Sequence, residues 1–229
     1  MTEQAWAPSG APLTSTDATV ANVGLLLILT TAATLVAVVG RVGADTDLPT
    51  LAESLAAIAG NRGLYGAGGA GRFASGATLL AAAWYLQQAR TASRGAPIVG
   101  VLFAASGLLT AYSGAAAVVL AAIAPDGPAA APAGDAARQL AETAALRQVS
   151  GAAGFAVAGV ALVVAGWRQW HAERQLRRAA AVTMLLGLTM QFIWLDAATL
   201  VHQVTGIVFV TWLAVVGAML RRGRPWLLA

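Results

Sequence analysis

Four polar side chains in an otherwise apolar sequence have the types that could carry chemistry inside a membrane: Arg72, Gln191, Asp196 and His202. A charge held away from water is costly, so a buried arginine needs a partner or a water-filled cavity. We expect Arg72 to pair with Asp196, with Gln191 or Glu142 as the alternative partner. Such a pair is either a structural contact or part of an anion-binding or proton-relay site, and in a transporter it would line the pathway.

His202 is the candidate ligand for a cofactor. Haem with two axial histidines needs both imidazoles at one depth, and His171 belongs to an arginine-rich stretch on the opposite predicted face. Haem with one histidine and a chlorophyll-type pigment on His202 stay open, as does a histidine hydrogen-bonded within a turn. Asp196 and His202 alone are too few ligands for zinc, so we predict no metal site. No cofactor is predicted either, although haem or a pigment on His202 is not excluded.

No set of catalytic residues emerges from the sequence. The chain has no cysteine, which excludes disulfides, thiolate metal sites and cysteine nucleophiles. All 14 basic residues are arginine, so no lysine is present to form a Schiff base. No serine lies in a GxSxG elbow. The sequence therefore predicts a protein that is not an enzyme.

The glycine-rich segment that contains Arg72 predicts close helix packing. Gly66, Gly68 and Gly71 spell GxGxxG, but that motif binds dinucleotides only between a strand and a helix, and no strand precedes it here. Ala67, Gly71 and Ser75 recur at a spacing of four, which places three small side chains on one helix face. We expect this face to lie against a neighbouring helix.

The composition decides the fold class. Hydrophobic residues make up 58% of the chain and charged residues only 10%, whereas a soluble domain carries roughly 25% charged residues. A soluble enzyme and a nucleic-acid-binding domain are therefore excluded. The sequence predicts an all-α polytopic membrane helix bundle.

Six transmembrane helices are predicted from apolar stretches of about 20 residues. The last apolar run, from 179 to 220, would form one helix of about 63 Å, so it must fold back at the polar segment 196–203. We expect a disordered cytoplasmic N-terminus at 1–18, one transmembrane domain at 19–220 and a cytoplasmic tail at 221–229. The predicted spans are 19–40, 64–86, 98–124, 149–167, 179–195 and 203–220.

The two long loops, 41–63 and 125–148, are expected to carry short amphipathic helices on the outer membrane surface. Thr50 and Glu53 have the spacing of a capping box before the first of these helices. Asp135 is a good N-cap for the second, AARQLAETAALRQ.

Arginine positions predict the orientation in the membrane. With six spans, one face carries four arginines and Arg72 lies inside a span, whereas the face of both termini carries nine: Arg90, Arg94, Arg168, Arg174, Arg177, Arg178, Arg221, Arg222 and Arg224. Positive charge favours the cytoplasmic side. We therefore expect a multi-pass protein of the cell membrane with both termini in the cytoplasm. The densest cluster, 168–178, either sets this topology or also contacts anionic lipid headgroups.

Two stretches, DLPTLAESLAAIAGNRGLYGAG and HQVTGIVFVTWLAVVGAMLRRG, resemble an uncharacterised family of small six-helix bacterial integral membrane proteins. The resemblance implies the same six-span architecture in a bacterial inner membrane. It implies no activity, and no catalytic residue is carried over from it.

The leading functional hypothesis is a non-catalytic membrane protein that acts as an accessory or assembly subunit of a larger complex. Its expected partners are the lipid bilayer and other membrane protein subunits, and no nucleic acid is expected. The alternative is a small transporter or channel in which Arg72 and Asp196 line the pathway. A third hypothesis is a pigment- or haem-binding membrane protein that uses His202.

Overall fold

The computed structural model describes residues 15–44, 48–90, 97–125, 134–172, 174–195 and 199–223. Within these ranges the regular elements are all helical. Seven are α-helices: α1 Ser15–Ala44, α2 Leu51–Gly60, α3 Arg62–Arg90, α4 Pro97–Ile123, α5 Asp135–Ala172, α6 Arg177–Thr189 and α7 Thr199–Arg221. Two 3₁₀ helices, Arg174–Leu176 and Met190–Trp194, precede and follow α6.

The long helices pack side by side in an antiparallel ring. Helix α3 lies between α1 and α4, α5 lies between α4 and α6, and α7 closes the ring against α1 and the second 3₁₀ helix. Near the start of α1 and the end of α7, Gly24 lies against Gly217. We call this the terminal end of the bundle. At the opposite end, where α2 lies, Gly40 of α1 lies against Gly68 of α3. We call this the α2 end.

Four of the described helices are long and apolar enough to cross a membrane, and they comprise Ala18–Ala44, Ile98–Ile123, Asp135–Ala172 and Leu200–Arg221. The other two predicted spans correspond to different structures. Helix α3 has 29 residues but contains Arg72 and many glycines, which lower its hydropathy. Helix α6 has only 13 residues and continues as a five-residue 3₁₀ helix.

The second loop differs from its prediction. A short surface helix after Asp135 and a separate span from 149 were expected, but α5 is one uninterrupted helix of 38 residues. The prediction of two elements is wrong because the segment between them contains no proline, and the Ser150–Gly151 pair does not interrupt the helix. The change from polar to apolar residues near 149 shows where the apolar span starts, but it is not where the helix starts. The helix begins just after Gly134, which has a positive φ of 61°.

The predicted capping box at the start of α2 is confirmed. The Glu53 backbone N–H donates to Thr50 Oγ1 at 3.2 Å, and the Thr50 N–H donates to Glu53 Oε2 at 3.1 Å. Leu55 and Ile58 of α2 are buried in an apolar cluster with residues of α3, α4 and α5. Helix α2 therefore covers the α2 end of the bundle.

Hydroxyl groups join α1 to α3. Thr30 Oγ1 lies 2.8 Å from Thr78 Oγ1, and Thr34 Oγ1 lies 2.7 Å from Ser75 Oγ. Thr30 and Ser75 are buried. Between apolar helix faces such hydrogen bonds fix the sliding and rotation of one helix against another, so they determine where α3 places Arg72.

Glycines bring α3 and α4 into backbone contact. A Cβ added at Gly76 would overlap the Gly107 carbonyl oxygen and would lie 2.8 Å from Ala111 Cα. Two turns along α3, a Cβ at Gly69 would lie 3.1 Å from the Gly114 carbonyl oxygen. Since backbone atoms cannot rotate aside, only glycine allows this separation between the two helices.

Candidate functional site

Arg72 projects from α3 towards the contact between α4 and α5. Its neighbour Gly71 lies against α1, where an added Cβ would be 2.9 Å from the Ala33 carbonyl oxygen. The Arg72 side chain is half-buried. A Cβ added at Gly151 of α5 would lie 2.7 Å from Arg72 Nη2 and 2.9 Å from Ser113 Oγ. The missing side chain at Gly151 therefore makes the space that the guanidinium occupies.

Ser113 connects this space to the backbone of α5. The residue is fully buried on α4, and its hydroxyl donates a 2.7 Å hydrogen bond to the Arg147 carbonyl oxygen. Arg147 is one helical turn from Gly151, so Ser113 contacts consecutive turns of α5. The hydroxyl oxygen keeps acceptor capacity towards the Arg72 side.

Arg147 of α5 places a second guanidinium against Tyr65, which precedes Arg72 on α3 by two helical turns, or about 10 Å. The Arg147 guanidinium carbon lies 5.9 Å from the centroid of the Tyr65 ring, which is a cation–π distance. Tyr65 is 3% exposed, and Arg147 Nε is buried without a hydrogen-bond partner among the described residues. Arg62 donates from its guanidinium to the Ala124 carbonyl oxygen nearer the α2 end.

We call Arg62, Arg72 and Arg147, with Tyr65 and Ser113, the arginine junction. It joins α3, α4 and α5 in the half of the bundle nearer the α2 end, and its three guanidinium groups supply N–H donors at successive positions along these helices. Guanidinium groups and a hydroxyl are the donor set that binds carboxylate, phosphate or sulfate oxygens.

The glutamates at this end are engaged elsewhere. Glu53 forms the capping box of α2. Glu142, an alternative predicted partner of Arg72, accepts from Arg138 Nε at 2.7 Å on an exposed face of α5. The other predicted partner, Asp196, lies outside the described residues, as do residues 45, 47 and 126, so the predicted pairing of Arg72 with Asp196 stays a prediction.

The structure does not bring Gln191 to Arg72. Gln191 Nε2 donates to the carbonyl oxygens of Ala156 at 3.0 Å and Gly187 at 3.3 Å, and it lies against Gly159. Gly159 is eight residues beyond Gly151 on α5, which corresponds to about 12 Å. Gln191 therefore attaches the second 3₁₀ helix to α5, because the 3₁₀ segment exposes backbone that α5 can contact.

His202 lies in the first turn of α7 and is half-buried. Its Nε2–H donates to the Phe192 carbonyl oxygen in the second 3₁₀ helix, so it joins the two arms of the hairpin. The other ring nitrogen, Nδ1, is the one that this contact leaves for a ligand such as haem or a pigment. Across the part of the chain that the structure describes, no group of three His, Asp or Glu side chains could hold a metal ion.

The predicted small-residue face is divided between two environments. Gly71 and Ser75 are buried against α1, whereas the Ala67 side chain is exposed. Sequence reasoning missed Ser113, Arg147 and Gln169. Nothing in the spacing of an apolar span separates Ser113 from other small residues, and Arg147 was assigned to the end of a loop because the continuity of α5 was not recognised.

Gln169 near the terminal end of α5 is the least satisfied polar side chain of the described structure. It is 1% exposed, and neither its amide nitrogen nor its oxygen has a hydrogen-bond partner among the described residues. Ala165, one turn away, lines an apolar cavity of about 40 Å³ between α1, α3, α4, α5 and α7. The amide therefore lies beside an apolar core that offers it no donor or acceptor.

Replacing Gln169 with leucine is expected to stabilise the protein by about 1 kcal/mol or more, because the cost of an unpaired buried amide is removed at similar side-chain volume. Thermal unfolding in detergent measures this effect. Gln203→Leu, at an exposed position of α7, is the matched control and should change stability little. A lower unfolding temperature for Gln169→Leu would show that the amide has a bound partner.

Comparison with known protein families found none that matches this chain, and neither the curated proteins nor the solved structures gave a match. The resemblance to small six-helix bacterial membrane proteins therefore stays an expectation, and function has to be argued from the geometry.

Proposed function

We propose that the protein is a small integral membrane transporter that binds an anion at the arginine junction. The observation that carries this proposal is the arrangement around buried Ser113: its hydroxyl donates to the Arg147 backbone carbonyl oxygen and lies beside the space that holds the Arg72 guanidinium. A charged side chain within a membrane segment is costly to bury, so it is by default a candidate for a ligand or ion pathway.

The proposed binding uses charge-assisted hydrogen bonds. Arg72 and Arg147 supply N–H donors, and Arg147 Nε is a buried donor without a hydrogen-bond partner in the described structure. The Tyr65 ring holds the Arg147 guanidinium by a cation–π contact, which limits its rotamers before the anion arrives. In a weakly polar interior such bonds are stronger than in water. A small carboxylate, phosphate or sulfate is the ligand class that fits.

The proposed topology has six spans in a bacterial inner membrane, with the terminal end in the cytoplasm. Support comes from the four long apolar helices and from the excess of arginine on the predicted face of both termini. In this orientation the arginine junction faces the outer side. Helix α3 and the unit of α6 with its 3₁₀ helix would be the remaining two spans.

The direct test is anion-dependent thermal stability of the purified protein in detergent. At a free anion concentration of 100 times Kd the bound ligand is expected to add about 2.7 kcal/mol to the free energy of unfolding. Inorganic phosphate, sulfate and small carboxylates are the probes. Arg72→Gln should abolish this stabilisation, whereas the exposed, ion-paired Arg138→Gln should retain it. A wild-type protein that none of these anions stabilises would refute the proposal.

Gly151→Ala separates anion binding from folding. The added methyl group would contact Arg72 Nη2 and Ser113 Oγ, so it displaces the guanidinium with little effect on the backbone. We expect at least tenfold weaker anion binding, which corresponds to about 1.4 kcal/mol. Gly206→Ala is the matched control, since a Cβ at Gly206 meets no atom within 4 Å. Equal anion affinity in the two variants would show that Arg72 does not take part in anion binding.

An accessory subunit is the second candidate, and the exposure of α1 and α7 favours it. Only 28% of the most apolar window in each of these two helices is buried, compared with 50% in α4 and 56% in α5. Exposed apolar faces contact either lipid or another membrane protein. Purification in mild detergent tests this candidate: a stoichiometric partner supports it, and a stable protein that purifies alone argues against it.

A further inference from the structure

Four arginines cluster where α5 passes into α6 at the terminal end of the bundle. Arg168 belongs to the last turns of α5, Arg174 to the first 3₁₀ helix, and Arg177 and Arg178 to the start of α6. The side chains of Arg174, Arg177 and Arg178 are exposed. The cluster lies at the opposite end of α5 from Arg147, so it is separate from the arginine junction.

Two tryptophans lie within this stretch of α5, and a third lies at the same end of the bundle on α3. The Arg177 guanidinium carbon lies 5.7 Å from the centroid of the Trp170 ring. Trp167 packs edge-on against His171, with 4.7 Å between the ring centroids, and is 60% exposed. Trp84, near the end of α3, is 66% exposed. Exposed tryptophan rings next to apolar helix faces are typical of the depth of lipid headgroups.

Three acids whose side chains the structure describes, Glu53, Asp135 and Glu142, belong to α2 and the first turns of α5 at the other end. Asp17 lies in the first turn of α1 at the terminal end. Glu173, within the cluster, lies outside the described residues. Arg168 Nη1 is buried and has no hydrogen-bond partner among the described residues, whereas the exposed Arg174, Arg177 and Arg178 present their donors at the surface.

We propose that this surface, formed by Arg168, Arg174, Arg177, Arg178 and Trp170, binds the phosphate headgroups of anionic phospholipids in the adjoining leaflet. The arginines supply donors to the phosphate, and Trp170 holds Arg177 at the depth of the headgroup. Charge complementarity and the exposed tryptophans together select a lipid, because a soluble acidic partner would gain nothing from rings at the apolar boundary.

Lipid titration of the full-length protein in neutral detergent tests this proposal. Thermal unfolding and native mass spectrometry are followed as phosphatidylglycerol, cardiolipin or phosphatidylcholine is added. We expect the two anionic lipids to raise the unfolding temperature and to stay bound, whereas phosphatidylcholine does neither. Arg174→Gln/Arg177→Gln/Arg178→Gln should weaken phosphatidylglycerol binding on the order of 100-fold.

Single variants keep the test decisive if the triple variant does not fold. Arg177→Gln should weaken phosphatidylglycerol binding by about fivefold, whereas Arg138→Gln, an exposed arginine at the other end of α5, should leave it unchanged. Trp170→Leu keeps every charge of the surface and should weaken binding several-fold because Arg177 loses its aromatic support.

Three results would overturn the proposal. Equal stabilisation by phosphatidylcholine would show that the surface does not recognise the negative charge of the lipid headgroup. Equal stabilisation by inorganic phosphate or glycerol phosphate, lost in Arg177→Gln, would assign the surface to a soluble anion. Binding of a polyglutamate peptide that Trp170→Leu does not change, with no preference for phosphatidylglycerol, would assign it to an acidic protein.

Discussion

Replacing Gly76 with alanine is expected to destabilise the bundle by about 3 kcal/mol, the upper range for overpacking a close contact. The added Cβ would overlap the Gly107 carbonyl oxygen and would press on Ala111. The reverse approach is equally tight, because a Cβ at Gly107 would lie 2.7 Å from the Gly76 carbonyl oxygen. Both obstacles are backbone atoms, so the helices must separate, and packing along the rest of α3 and α4 is lost with them.

Thermal unfolding in detergent, followed by tryptophan fluorescence, measures the effect of Gly76→Ala. Gly206→Ala is the matched control, because it makes the same change inside a helix where the Cβ meets open space. Alanine favours a helix over glycine, so the control should be stabilised by up to about 1 kcal/mol. Equal unfolding temperatures of the two variants would show that α3 and α4 are not in backbone contact at Gly76.

Replacing Gly187 with alanine is expected to separate α6 from α5 and to cost about 2 kcal/mol. A Cβ at Gly187 would overlap the Gly159 carbonyl oxygen and would lie 2.9 Å from the Val163 nitrogen. The loss should be local, because α6 reaches the rest of the described bundle mainly through α5. The hydrogen bond from Trp212 Nε1 to Thr183 Oγ1, 3.2 Å long, should weaken as α6 moves.

Hydrogen exchange measured by mass spectrometry reports the change in Gly187→Ala. Amides of 177–194 should exchange faster than in the wild type, whereas those of α3 and α4 should keep their protection. Gly63→Ala, at a position where a Cβ meets nothing within 4 Å, is the control. Faster exchange throughout the chain would contradict the local role of α6, and unchanged exchange would contradict its contact with α5.

The class of fold follows from the sequence because it depends on composition. Apolar stretches predicted the positions of the long helices, and the spacing of Thr50 and Glu53 predicted the start of α2. The continuity of α5 could not be predicted in this way, because hydropathy reports where the chain meets an apolar phase. It does not report where the backbone stops being helical, and an alanine-rich segment continues a helix through the change in polarity.

The candidate site was only partly predictable for a related reason. Arg72 was identifiable because a charge within an apolar stretch is unusual at any position. Ser113 and Arg147 lie 34 residues apart in sequence, and Gly151 acts by lacking a side chain. Their juxtaposition depends on the register of α4 against α5, which backbone contacts between glycines set. No local pattern in a single sequence encodes that register.

The unbroken helix α5 connects the two ends of the bundle, so that a movement of the helix at one end also moves it at the other. Its 38 residues span about 57 Å and carry Arg147 towards one end and Trp170 near the other. A rigid rod of that length acts as a lever: a tilt of about 5° around its midpoint swings the two ends about 2.5 Å in opposite directions. Movement of α5 at the arginine junction is therefore transmitted to the terminal end of the bundle.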